Sequence, residues 1–331
     1  MAEPTIILTR ADISSQIEIA KAIPDIEKAM GAFEKGNDYL PPKAVYQLPL
    51  QIQGATVAAC ITGYTKASDT LSMKLGQERT DNPRRGLPTT NSWIAAFRPD
   101  TGELLMICDG TLPTMYRTAS AAAVAASHLA RADVATLAVV GAGQLGRQCL
   151  LALSTVRRFE RIYVFDMRAE AAREVADDLA KRVGVPIEVT DARTACRGAD
   201  VIVTATNSRE PIIMADWIKP GTHLSCMGSD LPDKIECEIA LLPKCRLVAD
   251  FIEHTLQRGE VSQAVAQGVL SKDCYAGTLG QVINGDVTGR ESDEQITMYD
   301  GVGIGIQDTT IAATIYEQAR ARNLGTPIQF S

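Results

Sequence analysis

Leu137-Ala-Val-Val-Gly141-Ala-Gly143-Gln-Leu-Gly146 is the stretch that decides the fold. A short apolar run of strand character enters a Gly-x-Gly-x-x-Gly pattern, and a helical pattern leaves it. Each glycine has its own physical reason. Gly141 permits a tight turn, Gly143 lets the backbone approach a pyrophosphate, and Gly146 lets helix and strand pack closely. The unpaired amides at the start of the following helix, with its dipole, favour that pyrophosphate's negative charge. Gln144 and Leu145 lie in the same loop and belong to the expected cradle.

The pattern continues outward from this motif. The next strand, Arg161–Phe165, runs into Asp166, twenty residues beyond Gly146. A carboxylate there accepts from the adenosine ribose hydroxyls and repels a 2′-phosphate, so NAD(H) is favoured over NADP(H). Arg168, two residues further on, softens that preference and leaves NADP(H) open. Helical segments at 143–156, 169–183 and 192–198 alternate with apolar runs at 136–140, 161–165, 187–189, 201–204, 223–227 and 246–249. Such alternation predicts a parallel sheet with helices on both faces. Thr204, Thr206 and Met227, at the ends of the later strands, join the expected cofactor set.

Before residue 131 the character differs. Residues 12–33 have helical spacing, interrupted by Pro24, and 55–65, 70–75, 89–97 and 104–109 read as strands. Pro99-Asp-Thr-Gly102 is a tight-turn sequence that makes a hairpin of the last two. This region reads as α+β with an antiparallel sheet, and an Ala-rich helix at 118–130 bridges the two regions. A final helix over 306–323 closes at Leu324-Gly325.

Length and composition agree. At about 150 residues per domain, 331 residues make roughly two. A net charge of −7 argues against nucleic acid or an anionic membrane as partner, and 5% aromatics argue against stacking platforms for bases. The first residues lack the basic-then-apolar order of a secretory leader, and the apolar stretch 118–130 is too short to span a bilayer. Eight scattered cysteines without a Cys-x-x-Cys pair read as reduced thiols, hence a cytoplasmic protein. Three histidines without ligand spacing point to no metal.

Four segments carry a resemblance. The first joins Met73-Lys74, Asp81-Asn-Pro-Arg-Arg-Gly-Leu-Pro-Thr89, Thr101-Gly-Glu-Leu and Tyr116-Arg117-Thr118 with the alanines after it. The others are the glycine loop, Met227-Gly-Ser-Asp230-Leu-Pro-Asp-Lys234-Ile-Glu236, and Tyr299-Asp300-Gly-Val-Gly with Gln307-Asp308. In this order they are similar to the ornithine cyclodeaminase/μ-crystallin family over about residues 5–328. The resemblance implies an α/β chain in which a Rossmann doubly wound domain, 131–303, is inserted in an α+β substrate and dimerisation domain, 1–130 plus 304–331. It implies a homodimer that binds NAD(P) and a small carboxylate or imino acid. It implies that Lys74 and Arg117 hold the substrate carboxylate and that Asp230 works on the amine or imine nitrogen. Asp230 and Lys74 are thus the expected catalytic residues. Thr118 and Lys234 are expected on the cofactor, and Lys43 and Thr89 near the carboxylate.

The chemistry of these residue types is consistent with such roles. An arginine offers a carboxylate two parallel donors and a lysine adds a point charge. A carboxylate near nitrogen stabilises an iminium and relays a proton. The expected reaction is NADH-dependent reduction of an α-imino acid to an L-amino acid. The alternatives are a cyclodeaminase with bound NAD, or a non-catalytic binder like μ-crystallin. The sequence departs from the family at Gln77 and Arg79. Arg79 pointing inward would neutralise a second carboxylate and favour a dicarboxylic substrate such as iminosuccinate; pointing outward it is a solvated loop residue. No acidic residue is placed to receive a distal ammonium, which weakens the cyclodeaminase reading.

Overall fold

The computed structural model describes residues 3–14, 19–47, 56–79 and 82–330. Residues 15–18 of the first expected helix, Ala55 of an expected strand and Asp81 lie outside them. The chain separates into two compact units, residues 1–117 with 304–331 and residues 118–303.

The first part contributes strands β1 (Thr5–Leu8), β2 (Ala44–Gln47), β3 (Thr56–Thr65), β4 (Thr70–Arg79), β5 (Thr90–Phe97) and β6 (Leu104–Asp109), with helices α1 (Arg10–Ser14) and α2 (Ile19–Glu34). Helix α3 (Thr111–Leu129) carries the division within it. The second unit contains β7 (Thr136–Val140), α4 (Gln144–Val156), β8 (Arg161–Phe165), α5 (Ala169–Val183), β9 (Ile187–Val189), α6 (Ala192–Gly198) and β10 (Val201–Thr204). It continues through β11 (His223–Cys226), β12 (Cys245–Ala249), α7 (Ile252–Arg258), α8 (Ser262–Ala266), β13 (Tyr275–Thr278), α9 (Leu279–Asn284) and β14 (Ile296–Asp300). The chain then returns to the first unit with α10 (Gly305–Arg322) and β15 (Thr326–Ile328).

The first unit is a seven-stranded sheet in the order β15-β1-β6-β5-β4-β3-β2, antiparallel except where β1 runs beside β6. The hairpin β5–β6 closes through Gly102, whose φ of 74° suits glycine, and Arg98 N donates to Glu103 O at 2.9 Å. Period-two alternation sends Ile94, Ala96, Met106 and Cys108 to one face. There they meet Ile311, Ala312, Ile315 and Ala319 of α10. Helix α10 begins in backbone contact with β3. A Cβ on Gly305 would lie 2.0 Å from Thr62 O, and one on Gly63 would lie 2.6 Å from Gly305 C. Thr309 Oγ1 fastens the contact, donating to Gly63 O at 2.9 Å and lying 2.7 Å from Ser72 Oγ. The helix ends at Asn323, which takes the left-handed position at φ 54° in place of the expected Leu324-Gly325 stop. Asparagine tolerates that conformation, and Leu324 N bonds Ala319 O at 2.9 Å.

The second unit is an eight-stranded, wholly parallel sheet, ordered β13-β12-β14-β11-β10-β7-β8-β9. Successive strands β7, β8 and β9 run one way from the centre, and β10 and β11 run the other. The order therefore reverses between β7 and β10, where open sheets of this kind bind ligands. Strand β14 lies inside the sheet, although the polar run Glu291–Gln295 before it hides its strand character. The division falls within α3 rather than at residue 131 because the end of that helix is fastened to the second unit. Arg157 donates to Ala126 O and Ser127 O, and Arg290 and Thr297 donate to Leu129 O. Among the described residues, no helix is long and apolar enough to cross a membrane.

His223 opens β11 with no exposure, its ring nitrogens 3.0 Å from Thr297 Oγ1 and Ser225 Oγ. Burial, with Arg290 and Arg157 nearby, depresses its pKa from 6.5 to about 3. The unfolded chain takes up this proton below pH 6.5 while the folded chain refuses it until about 3. Stability is therefore lost as pH falls through that window, by at most about 1.4 kcal/mol per pH unit from this group. In His223→Gln the fall in unfolding free energy between pH 6 and 4, measured by urea titration, should be shallower than in the parent. Identical slopes would refute the assignment.

Candidate active site

The first unit builds a cationic site on one buried carboxylate. Strand alternation turns Ser72 and Lys74 of β4 toward the interior, while Met73, Leu75 and Gln77 face out. The Gly63–Gly305 contact brings the first turn of α10 against β3, next to β4, and Asp308 then reaches Lys74. Lys74 Nζ lies 2.8 Å from both Asp308 oxygens and donates to Oδ1. Arg117, on the first half of α3, donates from Nε to the same Oδ1 at 3.0 Å and from Nη1 to Gln307 Oε1 at 3.1 Å. All three charged side chains are buried. Burial alone would raise the Asp308 pKa, but Lys74 first, then Arg117 and Lys43, outweigh it and hold the carboxyl below its usual range. Lys74 and Arg117 converge on this one carboxylate with the donors that a ligand carboxylate would also use. Neither Asp308 nor Gln307 was singled out for the site from sequence. Their signal is a polar pair at the start of an otherwise mixed helix.

The second unit builds the dinucleotide cradle. Gly141 sits at φ +104°, its N–H donates to Phe165 O at 2.8 Å, and a Cβ there would lie 2.6 Å from Ala205 O. A Cβ on Gly146 would lie 1.8 Å from Gly141 O, so helix and loop touch through hydrogen alone. Gly143 differs: a Cβ on it would meet nothing within 4 Å. Its lack of a side chain is not needed by the packing. It leaves room over the start of α4, whose first turn has no side-chain cap. These residues fit a dinucleotide: Gly141, Gly143, Gln144 and Leu145 would hold its pyrophosphate. Asp166 Oδ2 accepts from Ala142 N and its Oδ1 from Arg168 N, both at 2.8 Å, which fixes the carboxylate at the end of β8. The Arg168 side chain is exposed, its Nε 3.9 Å from that carboxylate.

Asp230 and Lys234 form a second pair in this unit. Lys234 Nζ, almost wholly buried, donates to Asp230 Oδ1 at 2.7 Å and to Asn207 Oδ1 at 3.1 Å, while Asp230 is half exposed. Asn207, just beyond β10, had not been expected here. Its pairing joins the loop after β10 to the loop after β11.

The remaining expected residues are placed as follows. Lys43 is half-buried just before β2, and Thr118 is buried on α3. Met227 is buried, its side chain against Gly301. Thr206 gives both N–H and hydroxyl to Glu236, and Thr204 is fully buried with its hydroxyl on the same glutamate. Thr204 therefore has no surface for a cofactor, and its part is indirect. Thr89 O accepts from Arg79 N at 2.8 Å. Arg79, the last residue of β4, falls by register on the side of Met73, Leu75 and Gln77, but unlike them it is half-buried and its Nε is buried.

By its relatives the chain is an NAD(P)-dependent oxidoreductase that acts on CH–NH2 or C=N groups. The chain belongs to the ornithine cyclodeaminase/mu-crystallin family, whose model matches residues 3–323. An alanine dehydrogenase of Archaeoglobus fulgidus is 34% identical over 326 residues, 98% of each chain. An iminosuccinate reductase of Paracoccus denitrificans is 32% identical over 267 residues, 81% of this chain and 82% of that one. The solved structure of an archaeal alanine dehydrogenase dimer with bound NAD superposes with a TM-score of 0.93 at 33% identity, covering 99% of each chain.

Replacing Asp308 by Asn should leave Lys74 and Arg117 buried without their anion. Breaking such a pair costs about 3–5 kcal/mol. Chemical denaturation should show a loss of that order. A loss below about 1 kcal/mol would mean that the two cations do not depend on Asp308.

Proposed function

We propose that this protein reduces an α-imino acid to an L-amino acid at the expense of NADH. The observation that carries the reading is the buried Lys74–Asp308–Arg117 set, in which a lysine and an arginine converge as a carboxylate would need them. Lys74 and Arg117, with Lys43 nearby, take the substrate carboxylate and so fix the reacting carbon. Asp230 faces the substrate nitrogen and, as a carboxylate, favours its protonated iminium form, to which hydride addition gives the neutral amine. Lys234 holds Asp230 in place at 2.7 Å. Bound NADH would supply the hydride to the imine carbon.

Asp166 supports NAD(H) over NADP(H), and a relative of known structure holds NAD. The Lys74–Arg117 set accounts for one substrate carboxylate; Arg79, half-buried at the end of β4, makes a second carboxylate, as in iminosuccinate, a matter for the substrate panel. Reduced cysteines, all eight of them free, support a reducing, cytoplasmic setting.

Purified protein should consume NADH with an α-keto acid plus ammonia or methylamine, and the turnover of oxaloacetate against pyruvate decides whether a second carboxylate is taken. Asp230→Asn should lower kcat by about a hundredfold or more and leave NADH affinity unchanged. Absence of NADH consumption across a broad panel of keto acids would sink the proposal, and ammonia release from ornithine without net cofactor change would replace it with the cyclodeaminase reading.

We also propose a homodimer through the first unit's sheet. Its outward face carries Tyr46, Met73, Leu75 and Trp93, with Leu75 and Trp93 directly paired and each more than half exposed. An apolar group of this kind on a single sheet marks an association surface. Light scattering should give twice the 35.5 kDa chain mass, and Leu75→Asp combined with Trp93→Asp should give the monomer. A parent protein that is already monomeric would refute it.

A further inference from the structure

The second unit holds a set of buried acids that the proposed chemistry does not use. Glu236 has no exposure, and both of its oxygens are fully engaged. Oε1 accepts from Thr206 N at 2.7 Å and Thr206 Oγ1 at 2.8 Å; Oε2 accepts from Thr204 Oγ1 at 2.5 Å and Gly228 N at 2.9 Å. These donors come from the ends of two neighbouring strands, β10 and β11. Gly228 is part of the fit, because a Cβ there would lie 2.3 Å from Thr206 O and 2.5 Å from Glu236 Oε1.

Glu236 is itself held. Its N–H donates to Glu260 Oε1 at 2.9 Å, and Cys237 N donates to the same atom. The N–H of Glu260 in turn donates to Asp300 Oδ1 at 3.0 Å, and Asp300 Oδ2 accepts from Tyr275 Oη at 2.6 Å. Asp300 ends the inner strand β14. Three carboxylates thus form a ladder in which each grips the backbone of the next. The ladder runs from the centre of the sheet to the two loops that carry Asn207 and Asp230.

We propose that Glu236 is a positioning residue that sets the geometry of the loops 205–208 and 227–230, which carry Asn207 and Asp230, and through them the binding of the dinucleotide. This rests on the proposed NADH-dependent role of the unit. Lys234 joins the same loops through Asn207 and Asp230. Glutamine is a poor substitute for a geometric reason. Each oxygen of Glu236 receives a backbone N–H, so whichever way an amide is turned, its NH2 meets a donor. Valine at 204 removes one hydroxyl donor and keeps the shape, and serine restores the donor.

The test is a titration of NADH by fluorescence on Glu236→Gln, Thr204→Val and Thr204→Ser, with amide hydrogen exchange of the ligand-free proteins. Thr204 makes no surface available to a ligand, so an effect there comes through Glu236. Glu236→Gln should raise the NADH Kd at least about tenfold, Thr204→Val should raise it about three- to tenfold, and Thr204→Ser should return it to within about twofold of the parent. Exchange of the Thr206 and Gly228 amides should quicken in the first two variants, and the KM for the keto acid should not follow. If Glu236→Gln does not fold, the Thr204 pair decides alone. Unchanged NADH affinity and unchanged exchange in Thr204→Val would overturn the proposal. A parent that binds NADH yet reduces no imino acid would sink the functional reading and leave this test in force, because affinity and exchange are read without turnover.

Discussion

The meeting of Lys74, Arg117 and Asp308 is the constraint on which the first unit turns. A strand, a helix and the returning C-terminal helix each supply one charge, and none of the three could be buried alone at tolerable cost. The backbone contact of Gly63 with Gly305 sets the depth at which α10 lies, and Asp308 is placed by that depth. Packing and charge therefore specify one another: a helix seated higher would leave two cations unbalanced, and a missing anion would leave no reason to seat it.

Acids do similar work in the second unit, but against amides instead of cations. Asp200 receives the N–H groups of Ala135 and Thr136 at the head of β7, besides its ion pairs with Arg131 and Lys219. Asp250 receives Gly303 N and Phe251 N. With Glu236, Glu260 and Asp300, these carboxylates fasten strand ends and loops that lie outside the regular ladder of the sheet. Burial raises the pKa of Glu236 and Glu260 and moves Asp300 to about 7, against the pull of the hydrogen bonds they accept. A chain with a net charge of −7 thus spends part of its acid inside, as hydrogen-bond acceptors.

Much of this was legible in the sequence because it depends on local pattern. The run Leu137–Gly146 told strand, turn and helix through apolar residues and glycine positions, and the alternation after it told the parallel sheet. Lys74, Arg117, Asp230 and Lys234 were named from the family resemblance, and the structure shows Lys74 and Arg117 on one carboxylate and Lys234 on Asp230. What escaped depends on pairing between distant residues. Strand β14 is preceded by acids and polar residues that read as loop, and it earns its place only by lying between β11 and β12. Asp308, Asn207 and Glu236 look like ordinary polar residues until the fold brings them to Lys74, Lys234 and the strand ends. The face of Arg79 needed the length of β4: a strand ending at Leu75 leaves that side chain undirected, and one running to Arg79 gives it a side.

The discontinuity of the first unit has a consequence for how the protein is made. Its sheet and the helix that covers it are separated by 186 residues of the other unit, Thr118 to Gly303. A ribosome delivers the Rossmann sheet whole, able to close on itself, while the earlier half-unit still lacks α10 and the β15 edge. Until those last residues emerge, the inner face of β3–β6 and the charge of Lys74 and Arg117 are without their cover. The protein thus completes its parallel sheet first and the Lys74–Asp308–Arg117 set last, and a truncated chain would display the first without the second.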